Sequence, residues 1–303
     1  MTEEAGTPDR SRTSAGARVA TYLILVLAFS ATMWIPLIRA GTLQAGGGAL
    51  TFGLMWCPAA AAVAASLLTG RPLSQIGWRF DVRWILLGLV VPIAYAALAY
   101  GAVWALGLGA VPNAAFLARL QARFGGSPAA AFWKFLGIQA SAGLLISCFA
   151  GLGEEIGWRG FLVPELSRRL TFVQTSLASG AVWSVWHYPV LLFAGYNGGT
   201  PGGWSLACFT VMVIGISFVF AASRLASGGV WPAAVLHGSH NLFVQGVFDP
   251  ITADTGRTRW WTGEFGAALA LAGVGVAVLT LAWWRRRGAL EAAGSSDARR
   301  ATA

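Results

Sequence analysis

Charge is scarce in this chain: only 11% of its 303 residues are Asp, Glu, Lys or Arg, against about 25% in an average soluble domain. Lysine is almost missing, with Lys134 standing alone, and acidic residues number 12. So little charge excludes both a solvated globular domain and a disordered polyelectrolyte. The cations give a net charge of +9, but they sit in short clusters between apolar runs. That pattern sets membrane orientation and does not form a nucleic-acid footprint. Cysteine is also scarce. Cys57, Cys148 and Cys208 are odd in number, lack metal-type spacing and lie in apolar runs, which excludes a disulfide scaffold and reads as packing. An HExxH zinc motif, a fixed-period repeat and a soluble domain are likewise absent.

What remains is hydrophobic: 56% of the chain, arranged in runs near 19–38, 49–69, 84–108, 130–153, 173–194, 204–222, 229–248 and 264–284. A helix needs about 20 apolar residues to cross a bilayer core of about 30 Å. Lipid offers the backbone no hydrogen-bond partner, so helices are expected and barrel strands are not. The sequence therefore predicts an all-α, polytopic transmembrane bundle of about eight spans. The run at 19–38 follows Arg10, Arg12 and Arg18 but is too long for a removable signal sequence, so it reads as the first span.

Eight spans put both termini on one side. Of the 21 cations, six (Arg39, Arg119, Arg123, Lys134, Arg257 and Arg259) fall on the other side, and 15 share the side of the termini. Cytoplasmic loops carry the excess of Lys and Arg, so both termini are expected in the cytoplasm. The domain reading is a disordered tail at 1–18, a membrane-embedded domain at 19–287 with its core at about 130–248, and a second disordered tail at 288–303. The loop at 109–129, with Phe116, Leu117, Arg119, Leu120, Arg123 and Phe124, has the composition of a helix lying on the membrane surface.

Between Asp81 and Asp249 the only carboxylates are Glu154, Glu155 and Glu165. A charge at mid-bilayer costs about 2.5–3.5 kcal/mol on insertion scales, and less at a helix end. Arg159 follows Glu155 by one turn, so the two share a helix face. Glu154 is rotated by about 100° from that face and is left for other work. By itself the cluster is equally compatible with a solvated helix end. All three histidines, His187, His237 and His240, follow it within predicted spans. His237, His240 and Asn241 fall on one face of the seventh, and Pro189 is placed to kink the fifth beside His187. Counted at about 1.5 Å per residue, these residues lie at different depths. A common site in the cytoplasmic half therefore requires a fifth span that starts later than drawn or tilted helices.

Three motifs, Glu154-Glu155-Ile156-Gly157-Trp158-Arg159, Trp183 with His187, and His237 with Asn241, resemble those of the CPBP family. These are the CAAX proteases and bacteriocin-processing membrane proteins that include the Rce1-type prenyl endopeptidases. The family pattern is EExxxR, then FxxxH, then HxxxN or HxxxD; here Trp183 stands in place of the phenylalanine. The resemblance spans roughly 130–248. It implies an intramembrane endopeptidase, here one cleaving a peptide near the cytoplasmic membrane face. Glu154, assisted by His187, resembles the water-activating pair, His237 and Asn241 the oxyanion donors, and Glu155 with Arg159 a supporting pair. His240 matches no family position and reads as a helix-packing residue.

No cofactor is favoured, although Glu154, His187 and His237 are a zinc-competent set if the enzyme uses metal. A non-catalytic scaffold or immunity protein is the alternative from another class. The expected partners are a peptide or membrane-protein substrate and the lipid bilayer, without nucleic acid. The expected location is the cell membrane if the source is prokaryotic. One shared water further requires the fourth, fifth and seventh spans to be mutual neighbours, with a wet route nearest the cytoplasmic side.

Overall fold

The computed structural model describes residues 14–301, with side chains through residue 288. Of the two expected tails, residues 1–13 and 302–303, together with the side chains from 289 onward, lie outside the described residues. Among the described residues there is no strand, and the only β pairings are two isolated bridges, Trp78 with Gly229 and Ala110 with Ala253.

Helix α1 spans Ala15–Ala40, α2 Ala49–Thr69 and α3 Val82–Ala105. The short α4 covers Ala114–Phe124. A long rod then joins α5 (Pro128–Ile138), α6 (Leu144–Gly157) and α7 (Val163–Ser167) through π-helical turns at Gln139–Gly143 and Trp158–Leu162. Helix α8 spans Phe172–Phe193 and α9 Gly202–Ser227; α10 (Trp231–Phe243) continues through a π turn at Val244–Phe248 into α11 (Asp249–Ile251). The last helix, α12, spans Ala267–Ala301.

The helix ends follow local chemistry. Ser14, Asp81 and Ser127 accept hydrogen bonds from the first free N–H groups of α1, α3 and α5. Thr171 and Gln174 form a reciprocal capping box at the start of α8. Eight helical rods thus occupy the eight apolar runs. Six are long and apolar enough to cross a membrane, which makes the chain a multi-pass helical bundle. The other two, α8 and the α10–α11 rod, carry all three histidines, and their Ser, His and Gln content lowers their hydropathy.

The chain runs up and down between two faces. The terminal face holds the start of α1 and the loops at 70–81, 168–171 and 228–230. The opposite face holds the loops at 41–48, 106–127, 194–201 and 252–266. At the terminal face buried Glu165 accepts from Arg18 Nε at 2.8 Å and Arg71 Nε at 3.0 Å, tying α7 to α1 and to the loop before α3. At the opposite face α4 has formed where a surface helix was expected. Its Phe116 and Leu120 are buried against α5, with Phe116 and Phe135 edge-to-face at 5.4 Å.

Close crossings rely on residues without side chains, as is usual where lipid supplies no hydrophobic drive between helices. A Cβ on Gly238 of α10 would lie 2.5 Å from the backbone nitrogen of Cys148 on α6. One on Gly157 would lie 2.5 Å from Pro58 Cβ of α2. Helices α6 and α10 therefore pack directly. Helix α8 packs on α9 and α1 and, near the terminal face, on α7 and the second π turn of the fourth rod, but not closely on α10, so the fourth, fifth and seventh spans are not all close backbone neighbours as expected. Toward α10 the fifth presents the large indole of Trp183, 5.4 Å from the His237 ring.

Candidate active site

The helix that carries Glu154 and Glu155 does not stop at these charges, as the run ending at 153 had implied. It continues through Trp158–Leu162, with Glu155 and Arg159 wholly buried. Burial is tolerable because the charges are compensated. Glu155 Oε1 accepts from Arg159 Nη1 at 3.0 Å and from His237 Nδ1 at 2.9 Å. Among the described residues Arg159 Nε and Nη2 have no hydrogen-bond acceptor. Instead the guanidinium lies 4.3 Å from the ring centre of Trp183 and 4.1 Å from that of Phe220, a desolvated cation between two aromatic faces.

Glu154 points elsewhere. Its Oε2 accepts from Trp183 Nε1 at 2.7 Å and from Trp158 Nε1 at 3.2 Å. Its Oε1 has no hydrogen-bond partner among the described residues. Trp183 thus does what a phenylalanine in that position could not: it orients the carboxylate through an N–H donor.

The histidine partners fix the ring tautomers. His187 Nδ1 lies 2.8 Å from the carbonyl of Trp183, which can only accept, so Nδ1 carries hydrogen and Nε2 of the neutral ring keeps a lone pair. His237 spends its Nδ1 hydrogen on the Glu155 carboxylate. Its Nε2 therefore donates a hydrogen bond only when the ring is cationic.

Glu154, His187, His237 and Asn241 all line one cavity of about 130 Å³. Apolar side chains such as Met55, Val190 and Met212 supply most of the remaining wall. Beyond Glu154, toward the terminal face, Trp158, Arg159, Phe161 and Leu162 are fully buried and close that end. The cavity extends the other way, to Leu43, Tyr196, Gln245 and Glu264 beside the opposite face. Among the described residues the cavity does not extend toward the side of the termini, where a wet route was expected. The reason is that the π turn after Glu154 packs its bulky side chains into the space such a route would need.

His240 is not a simple packing residue. Its Nδ1 meets Tyr95 Oη, and its Nε2 lies 3.0 Å from Glu264 Oε1. Glu264 Oε2 accepts from Tyr196 Oη and, at 2.9 Å, from Gln245 Nε2. This second polar cluster escaped sequence reasoning. Its sequence signal was a lone carboxylate at the head of the last apolar run, and its partner Tyr196 lies 68 residues away.

His187 and His237 each keep Nε2 open, as metal ligands do. Among the described residues, however, no group of three or more His, Cys, Asp and Glu side chains converges to hold an ion.

Comparison with known proteins agrees with the motifs. Residues 136–243 match the family described as type II CAAX prenyl endopeptidase Rce1-like. A stretch of 48 residues is 35% identical to CAAX prenyl protease 2 of Methanococcus maripaludis, covering 16% of this chain and 18% of that relative. The match thus spans about a fifth of the relative's length. The segment that brings Glu154, His187, His237 and Asn241 to one cavity is Rce1-like in sequence.

Proposed function

We propose that this protein is an intramembrane endopeptidase that hydrolyses a peptide bond with a glutamate-activated water and without a metal. The observation that carries the reading is the convergence of Glu154, His187, His237 and Asn241 on one cavity, with Glu154 Oε1 unpartnered. Peptide hydrolysis needs a base for water, a donor for the developing oxyanion and an acid for the leaving amine. Glu154 Oε1 takes a proton from water while His187 Nε2 accepts the second O–H and holds the molecule in line. The resulting hydroxide adds to the carbonyl carbon. The oxyanion is met by the Asn241 amide and by His237 Nε2 in its cationic form, with Glu155 as counter-ion. Glu154 then delivers its proton to the amide nitrogen as the C–N bond breaks.

The metal-free form is favoured because Asn241 is a poor zinc ligand and Glu154 Oε2 is already held by two indole donors. Binding of stoichiometric zinc, with activity lost to chelation and restored by the metal, would reverse it. The substrate we propose is a peptide or membrane-protein segment; a CAAX terminus is the first to try, from the name of the relative.

The direct test is Glu154→Gln. The purified variant should fold and lose at least 10²-fold in turnover of an internally quenched CAAX peptide, prenylated or not. A variant that cleaves as well as the parent removes the assignment. Full complementation of a deletion strain by Glu154→Gln would favour the scaffold reading instead.

A further inference from the structure

The closed floor of the cavity and the position of its rim together say from which face it is filled. Past Tyr196, Gln245 and Glu264 lies a second, larger hollow of about 410 Å³ on the opposite face. It is walled by the loop at 252–265, including Asp254, Thr258, Arg259 and Thr262. The same three residues line both spaces. Gln245 is exposed, whereas Glu264 is buried. Toward the terminal face the hollow beside Glu165 and Arg169, of about 200 Å³, shares no lining residue with the cavity: among the described residues Glu154 is followed by fully buried Trp158, Arg159, Phe161 and Leu162, and the Arg159 carbonyl is itself capped by Arg224 Nε at 2.8 Å.

The rim is held as a unit. The Glu264 carboxylate accepts from His240 of α10, from Tyr196 beyond α8 and from Gln245 of the π turn, while His240 is gripped on its other side by Tyr95 of α3. Resting on the proposed peptidase reading, we propose that substrate reaches Glu154 from the face opposite the termini, across a threshold made by Glu264, Tyr196 and Gln245. Among the residues with described side chains, and leaving aside wholly buried Arg159, ten cations lie toward the side of the termini and six toward the other, so we assign that opposite face as the non-cytoplasmic one. The substrate is then a peptide segment presented at the outer surface of the membrane, and Glu264 is a positioning residue for the doorway.

A single cysteine at the rim tests the route. Gln245→Cys is purified in detergent, treated with a bulky maleimide, and compared with its own untreated form on the quenched CAAX peptide. The label should reduce cleavage at least tenfold; an unchanged rate overturns the route. If Gln245→Cys does not fold, Leu43→Cys, at the rim but outside the Glu264 cluster, takes its place. Sidedness is read in intact cells with a membrane-impermeant maleimide, against the parent as background. The rim cysteine should label from outside, whereas Ser74→Cys, on the terminal face, should label only after permeabilisation. The reverse pattern overturns the outer-face assignment. Should the untreated parent fail to cleave any peptide, the peptidase reading falls, and the labelling pattern alone then decides the direction in which the cavity opens.

Discussion

Trp183 shows how one side chain can depart from a family pattern and gain a task. A phenylalanine would fill the same space beside Arg159, but the indole also donates to Glu154 Oε2 at 2.7 Å and lies 5.4 Å from the His237 ring. A hydrogen bond to a charged acceptor is worth about 1.5–3 kcal/mol. Trp183→Phe keeps the aromatic face and leaves Trp158 as the other donor. It should therefore lower kcat about tenfold with little change in KM, whereas loss of the base itself should abolish turnover; steady-state kinetics on the purified variant will read this. A Trp183→Phe variant with parental kcat would show that the indole N–H does not matter. The supporting ion pair is a different kind of residue effect. Replacing Arg159 by an apolar side chain leaves Glu155 buried with only His237, a loss of about 3–5 kcal/mol, so stability should fail before catalysis can be measured.

At the scale of helices, the site depends on how closely α6 and α10 approach. Gly151 faces the His237 ring, where an added Cβ would lie 2.9 Å from Cγ, and Gly238 faces the backbone of Cys148. A methyl group at Gly238 meets main chain, which cannot swing aside, so the helices must separate. Overpacking of this kind costs about 1–3 kcal/mol. Gly238→Ala should lower the unfolding midpoint and reduce cleavage more than tenfold, because His237 and Asn241 move with α10. Gly137→Ala on α5, where nothing lies within 4 Å, should change neither. Tryptophan fluorescence on heating, paired with the peptide assay, separates the two outcomes.

Most of the helical architecture was legible in hydrophobic runs: 49–69 coincides with α2, and 173–194 is offset by one residue from α8. The fourth run was cut short at 153 because buried charges look like a helix end until their partners are known. Those partners, His237 and the rings of Trp183 and Phe220, come from other helices. The EExxxR pairing could be read from spacing alone, since both residues sit on one turn. The His240 and Glu264 cluster could not, because its members come from two helical rods and two loops. The depth mismatch among the histidines has a physical resolution: α8 reaches the site through a long indole and an oblique cavity, so equal depth was never required.

The molecule is asymmetric across the membrane, bolted at one face and, at the other, hollow where the candidate site opens. At the terminal face Glu165 draws together Arg18, Arg71 and Arg168, and Arg71 Nη2 also holds the carbonyl of Gly160 at 2.9 Å. That fastening lies just beyond the fully buried end of the cavity. On the proposed route, a chamber with one doorway returns its products by the way the substrate came. The fragment nearer the sealed end must wait for the outer fragment to clear, and neither can be flushed through from behind. Added inner fragment, the last to leave, should therefore raise the apparent KM for intact peptide without lowering the maximal rate, the pattern of two molecules contending for a single passage, whereas added outer fragment should lower the maximal rate as well. Release rather than bond cleavage then sets the pace whenever the departing piece is long, and lengthening the substrate on its outer side should slow steady turnover while leaving the first turnover unchanged.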